Sequence, residues 1–143
     1  MIGEEFVLGK ILDSLTSWFQ KQKKEKETVR EILMSLKLAV NSVVLHMGLS
    51  MEHGAINYMK LQTYLPRDIE NMFQIVERYK QSLDIDLSNS MIAFVNYLVG
   101  YNETINSLTM GMGDVFDEKE KSITESIGEI NERIDVLIRT LEV

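Results

Sequence analysis

The sequence predicts an all-α protein, an antiparallel helical bundle of four to five long helices plus a short one. Apolar residues recur every three or four positions along almost the whole chain, and there is a single proline, Pro66, to interrupt them. No alternation of apolar and polar residues runs long enough to indicate a strand. With 143 residues, 45% of them hydrophobic and 26% charged, the composition indicates one globular domain over 1–143.

The first predicted element is an amphipathic helix over 1–22, which the charged run "KQKKEKE" separates from the rest and which can be semi-independent. The second helix has one main apolar face, formed by Val29, Ile32, Leu33, Leu36, Val40, Val43 and Met47. Three more apolar residues, Met34, Leu38 and Leu45, lie on nearly the opposite face. A helix that is apolar on two sides either lies between neighbours or contributes to an oligomer interface.

The middle of the chain carries the strongest helix-breaking signals. Gly48 and Gly54 predict a break, followed by a short helix through Tyr64. Pro66 then predicts the first position of a new helix, because proline is favoured where no backbone donor is needed. Asp68 and Glu70 would lie in its first turn, where the helix dipole favours acidic residues.

The next helix is predicted to be the central and most buried one, over 88–112, with Asp86 or Ser88 as its cap. Residues 87–113 contain one charged side chain, Glu103. Such a composition is typical of a helix surrounded by others.

The final helix is predicted to begin near Asp117, which forms a capping-box pattern with Glu120. Its apolar residues follow steps of four and three without interruption: Ile123, Ile127, Ile130, Ile134, Leu137 and Leu141. The positions beside this seam carry few charges, whereas a separate coiled coil usually has charges there. We therefore expect the seam to pack inside the bundle.

The net charge of −7 is unevenly distributed, with −8 on residues 84–143 and +1 on residues 1–83. Direct binding of nucleic acid needs a basic face, so it is not expected. Glu125, Glu129 and Glu132 should be exposed on the final helix. An alternative function follows from them, in which the protein is an acidic inhibitor or regulator that docks on the basic, nucleic-acid-binding surface of a partner.

Candidate catalytic groups are few. The chain has no cysteine and two histidines, His46 and His53. On one continuous helix these histidines would be about 10 Å apart, too far to share a metal ion. No nucleophile, phosphate-loop or dinucleotide motif occurs. We expect no enzymatic activity, no cofactor and no metal site.

The predicted function is therefore a structural, assembly or regulatory role through protein–protein contacts, with self-association through Met34, Leu38 and Leu45. A further alternative is peripheral membrane association, in which Trp18 and Phe19 insert and the lysines of the segment Lys21–Lys26 face the lipid headgroups. The acidic start of the chain lacks the features of a secretory signal, which favours a cytoplasmic location.

Overall fold

The computed structural model describes residues 4–106 and 113–142, and the side chains of 8–105 and 118–142. It confirms an all-α helical bundle. The elements in chain order are α1 (Glu4–Gln22), α2 (Lys26–Leu49), β1 (Met51–Glu52), β2 (Ala55–Ile56), α3 (Tyr58–Arg78), α4 (Ile85–Asn106) and α5 (Gly113–Leu141). The helices are five long ones, and the two strands pair only with each other in a small antiparallel hairpin.

The helices form a ring in which each packs mainly against two neighbours, in the order α1, α4, α3, α2, α5 and back to α1. Side-chain contacts between helices fix the directions: Lys21 meets Asp84, Ser14 meets Ser90, Lys37 meets Asp135 and Asn41 meets Asn131. Thus α1 is antiparallel to α4, and α2 is antiparallel to α5. Because five is odd, directions cannot alternate around the whole ring, and the neighbours α1 and α5 are parallel.

Helix α4 is a member of the ring and does not occupy the central position predicted for 88–112. It lies between α1 and α3, and Asn89, Asn96 and Gly100 are exposed on its outer side. Most of the exposed positions of α4 carry neutral residues, whereas exposed helix positions usually carry charged ones. The scarcity of charge therefore wrongly indicated a central helix. The predicted residues 107–112 lie outside the described part of the chain.

One hydrophobic core runs through the ring and includes residues of all five helices. All six apolar residues of the α5 seam are at most 5% exposed, which confirms that the seam packs inside the bundle. Trp18 and Phe19 of α1 are equally buried.

The break after α2 is confirmed, but the prediction that Pro66 begins a new helix is wrong. His53 and Gly54 have φ angles of 53° and 81° and form the tight turn of the hairpin. The side chain of Asn57 then accepts hydrogen bonds from the backbone N–H groups of Met59 and Lys60, and this cap starts α3. Pro66 lies inside α3, so the predicted short helix and its successor are one continuous helix.

Two further helix starts differ from the predictions. The backbone N–H of Leu87 donates to Asp84 Oδ1 over 2.9 Å, so Asp84 stabilises the start of α4 rather than Asp86 or Ser88. Helix α5 begins at Gly113, so Asp117 lies within it and does not cap it.

Candidate functional site

The clearest candidate surface is the side of α2 that faces away from the core. Met34, Leu38 and Leu45 are 43%, 67% and 59% exposed, as the two-sided pattern predicted. Leu49, one turn further on, is 55% exposed and was missed. We call these four residues the outer stripe. They are separated by four, seven and four residues and extend over about 22 Å at 1.5 Å per residue.

The polar side chains beside the outer stripe already have partners within the protein. Ser42 Oγ donates to the carbonyl oxygen of Leu38 over 3.1 Å, and Lys37 Nζ lies 2.6 Å from Asp135 Oδ1. The Asn41 side-chain oxygen accepts a hydrogen bond from Asn131. A partner covering the stripe would leave the Ser42 hydroxyl, the Lys37 ammonium and the Asn41 oxygen with the partners they already have, which lowers a common penalty of burial.

A groove runs along each side of α2. The groove towards α3 has a volume of about 260 Å³ and is lined in part by Leu38, Ala39 and Ile75. The groove towards α5, of about 550 Å³, is lined in part by Met47 and Met51. The outer stripe is thus a ridge between two depressions, a shape that can interlock with another helix surface.

The acidic residues predicted on α5 are placed as expected. Glu125, Glu129 and Glu132 are exposed, and none of the three forms an ion pair with a residue that the structure describes. Arg133 and Arg139 lie in the same groove as Glu129 and Glu132, between α1 and α5. The surface therefore mixes charges instead of presenting a purely acidic face.

Glu120 belongs to a partly buried cluster and not to the acidic surface. Its Oε1 accepts hydrogen bonds from the hydroxyl groups of Tyr58 (2.5 Å) and Tyr101 (3.3 Å). Burial, together with the nearby Glu120 carboxylate, raises the pKa of Tyr101 far above its usual value. The cluster joins α3, α4 and α5 at one end of the bundle.

The aromatic residues proposed for membrane contact face the interior. Trp18 is 1% exposed and Phe19 is 0% exposed. The indole N–H of Trp18 donates to the carbonyl oxygen of Ser82 over 2.8 Å, and Lys21 lies 3.4 Å from Asp84. Insertion of these rings into a lipid surface would require α1 to leave the ring.

The sequence did not predict the most unusual polar contact, which joins α2 to α3. His46 Nδ1 lies 2.6 Å from Asp68 Oδ2, and the imidazole ring stacks on Tyr64 with centroids 4.4 Å apart and planes within 4°. Asp68 is 1% exposed, and its Oδ1 has no hydrogen-bond partner among the residues that the structure describes. Burial raises the pKa of the Asp68 carboxyl, while the bond to His46 opposes that shift.

A signal for this pair was present in the sequence. Asp68 continues the apolar spacing of Leu61, Leu65 and Met72, so a helix starting before Leu61 puts the carboxyl on the buried face. The helix start predicted at Pro66 instead assigned Asp68 to a first turn, where an acidic residue needs no buried partner. His53 takes no part in the contact, because it lies in the hairpin turn rather than on α2.

The chemistry available to these surfaces is limited. Within residues 4–106 and 113–142, no three His, Cys, Asp or Glu residues are grouped so that they could hold a metal ion. In the same residues, α2 is the one helix whose length and composition would suit a membrane span, a property that core helices of soluble proteins share. No protein family, curated protein or solved structure was found to match this chain.

Proposed function

We propose that this chain is a non-enzymatic, cytoplasmic helical bundle that acts through protein–protein contacts and self-associates through the outer stripe of α2. The observation that supports the proposal is the exposure of four large apolar side chains on a helix whose opposite face belongs to the core. Exposed apolar groups aligned on one helix face usually mark a contact surface, whereas scattered ones need no explanation.

The expected strength of self-association follows from the area covered. If two outer stripes meet, eight side chains that are about half exposed leave the water. Full burial of one such side chain contributes about 1.5–3 kcal/mol, so the eight together contribute about 6–12 kcal/mol. Association costs about 4–15 kcal/mol in lost freedom of motion. The two terms are similar, so the association should be moderate and should depend on protein concentration.

Light scattering over a range of protein concentrations tests this proposal. The parent protein should increase in mass with concentration, and Leu38→Glu should remain monomeric, because a buried unpaired carboxylate is costly. Met59→Glu is the matched control, since Met59 is 80% exposed but lies on α3. It should associate as the parent does. A parent protein that stays monomeric at tens of micromolar would refute self-association.

A second candidate function uses the acidic residues of α5. Glu125, Glu129 and Glu132 are exposed without ion-pair partners among the described residues, which favours docking on a basic protein surface. Such a protein would inhibit or regulate its partner by occupying a site that otherwise binds nucleic acid.

Binding of a lysine-rich helical peptide, followed at rising ionic strength, tests this second function. Replacing Glu125, Glu129 and Glu132 with lysine should abolish binding of the peptide to the protein. The helical circular dichroism signal of the protein should stay unchanged. Replacing Glu27, Glu70 and Glu77 with lysine gives the same net charge elsewhere on the surface and should retain binding. Equal binding by both variants would show that the peptide responds only to overall charge.

A further inference from the structure

The spacing of the outer stripe has a symmetry that specifies its partner. Met34 and Leu49 lie equally far from a point between Asn41 and Ser42, and Leu38 and Leu45 do so as well. We propose that the stripe is covered by the same stripe of a second copy, with the two α2 helices antiparallel and a two-fold axis beside Ser42. This inference rests on the proposed self-association and names the surface that the second copy presents.

In this arrangement each exposed apolar side chain meets another one. Leu38 lies opposite Leu45 of the second copy, and Met34 lies opposite Leu49. A two-fold interface closes at the dimer, because both copies use the same surface. Docking of the stripe into the α1–α5 groove would instead place leucines against Glu129 and Glu132, whose carboxylates would lose water without gaining a partner.

Charge distinguishes the antiparallel pair from a parallel one. Lys37 is the one Lys, Arg, Asp or Glu between Ile32 and Leu49. A parallel two-fold pair would place the two Lys37 side chains at the same height. The antiparallel pair separates them by about 13 Å along the helix axis, beyond the screening length of about 8 Å in physiological salt. The dipoles of adjacent antiparallel helices also attract each other, whereas those of parallel helices repel.

The area of the stripe indicates how stable the dimer should be. The stripe is about 22 Å long on a helix about 10–12 Å wide, which gives a projected area of about 220–260 Å² per copy. A specific interface of standard size buries about 800 Å² per copy, and the weaker ones bury less than about 600 Å². The pair should therefore be at the weak end of the range, and its formation should depend on protein concentration.

Single-cysteine variants test the arrangement, because the parent chain has no cysteine. Packed helices have axes about 8–10 Å apart, which brings facing Cα atoms about 4–5 Å from each other, within reach of a disulfide. Ser42→Cys should therefore form a covalent dimer on mild oxidation. In Met34→Cys the two cysteines would be about 22 Å apart along the axis, so it should stay unlinked. A mixture of Leu38→Cys and Leu45→Cys should link one variant to the other.

The outcomes separate this inference from the proposed function. Efficient linkage of Ser42→Cys without linkage of Met34→Cys supports the antiparallel pair. Linkage of both variants would indicate a parallel pair, and light scattering that shows species larger than a dimer would indicate a head-to-tail contact. Either result overturns the inference while self-association stands. A protein that stays monomeric in light scattering overturns both the antiparallel pair and the proposed self-association. If that monomer floats with anionic vesicles, the stripe binds a lipid surface instead of a second copy.

Discussion

The two sides of α2 reverse the usual distribution of polar and apolar groups. On the side towards α3, His46 and Ser35 are partly buried and bonded to Asp68 and Tyr79. On the outward side, less than one turn away, the leucines of the outer stripe are more than half exposed. A buried polar side chain requires a specific hydrogen-bond partner within the protein. An exposed apolar side chain has no such partner and remains available for contact with another molecule. The inner side thus fixes how α2 sits on α3, and the outer side is suited to contact with another chain.

Removal of His46 should have the largest effect on stability. His46→Ala leaves the buried carboxyl of Asp68 without its bonded partner, and a buried polar group that loses its hydrogen bond costs about 1–3 kcal/mol. We expect the free energy of unfolding, measured by urea denaturation, to fall by this amount. Leu45→Ala, on the adjacent outward position, should change the stability of the monomer by less than about 0.5 kcal/mol.

The double variant His46→Leu with Asp68→Leu is the control for the unpaired carboxyl. It removes both polar groups together, and replacing both partners of a hydrogen bond with apolar side chains of similar shape can be nearly neutral or stabilising. It should therefore recover most of the lost stability. If it is as unstable as His46→Ala, the contact matters through its shape and not through the unpaired carboxyl.

The next effect concerns pH. The pKa of Asp68 is raised in the folded state above its ordinary value of 3.8, because burial disfavours the charged carboxylate. Between these two pKa values the folded state binds more protons than the unfolded state. The contribution of Asp68 to the free energy of unfolding therefore falls as pH rises through this window, by about 1.4 kcal/mol for every pH unit that separates the folded and unfolded pKa values.

Asp68→Asn should abolish this part of the pH dependence. Urea denaturation at a series of pH values, from about 3 to 7, would show a flatter profile for Asp68→Asn than for the parent. Asp13→Asn changes an exposed aspartate of α1 and should keep the parental slope. An Asp68→Asn profile with the parental slope would contradict the raised pKa.

A small effect on stability is expected at Lys37, whose ion pair with Asp135 is partly exposed on α2 and α5. Lys37→Met should lower the free energy of unfolding by less than about 1 kcal/mol, because exposed pairs contribute little. It should also strengthen self-association in light scattering, since it removes the charge beside the outer stripe. Lys60→Met breaks a comparable pair with Glu52, away from the stripe, and should leave association unchanged.

The sequence predicted the features that depend on helical spacing. The six buried residues of the α5 seam and the exposed Met34, Leu38 and Leu45 follow from a period of 3.6 residues, which determines which positions share a helix face. The same period cannot say which faces of two helices meet. The contact between His46 and Asp68 joins residues 22 positions apart on different helices. It depends on how α2 packs against α3, which the spacing of residues within each helix does not determine.

The errors at helix boundaries have a common physical cause. Proline is most favourable at a helix start, and that preference wrongly placed one at Pro66. In the folded chain, the Asn57 cap and the burial of Leu61 and Leu65 favour an earlier start, and they outweigh the lost backbone hydrogen bond at the proline. The local preference is real, but several tertiary contacts together exceed it.

The ring order has a consequence for how the chain folds. Helices α2 and α3 each pack beside the next one along the chain, so these contacts are local and can form early. Helix α1 instead packs between α4 and α5, whose contact residues lie more than 60 positions away. Of the five helices, α1 is synthesised before the others. Its packing position between α4 and α5 is complete only after α5 has been synthesised. The buried residues of α1, which are Ile11, Leu15, Trp18 and Phe19, are therefore among the core side chains that remain uncovered longest.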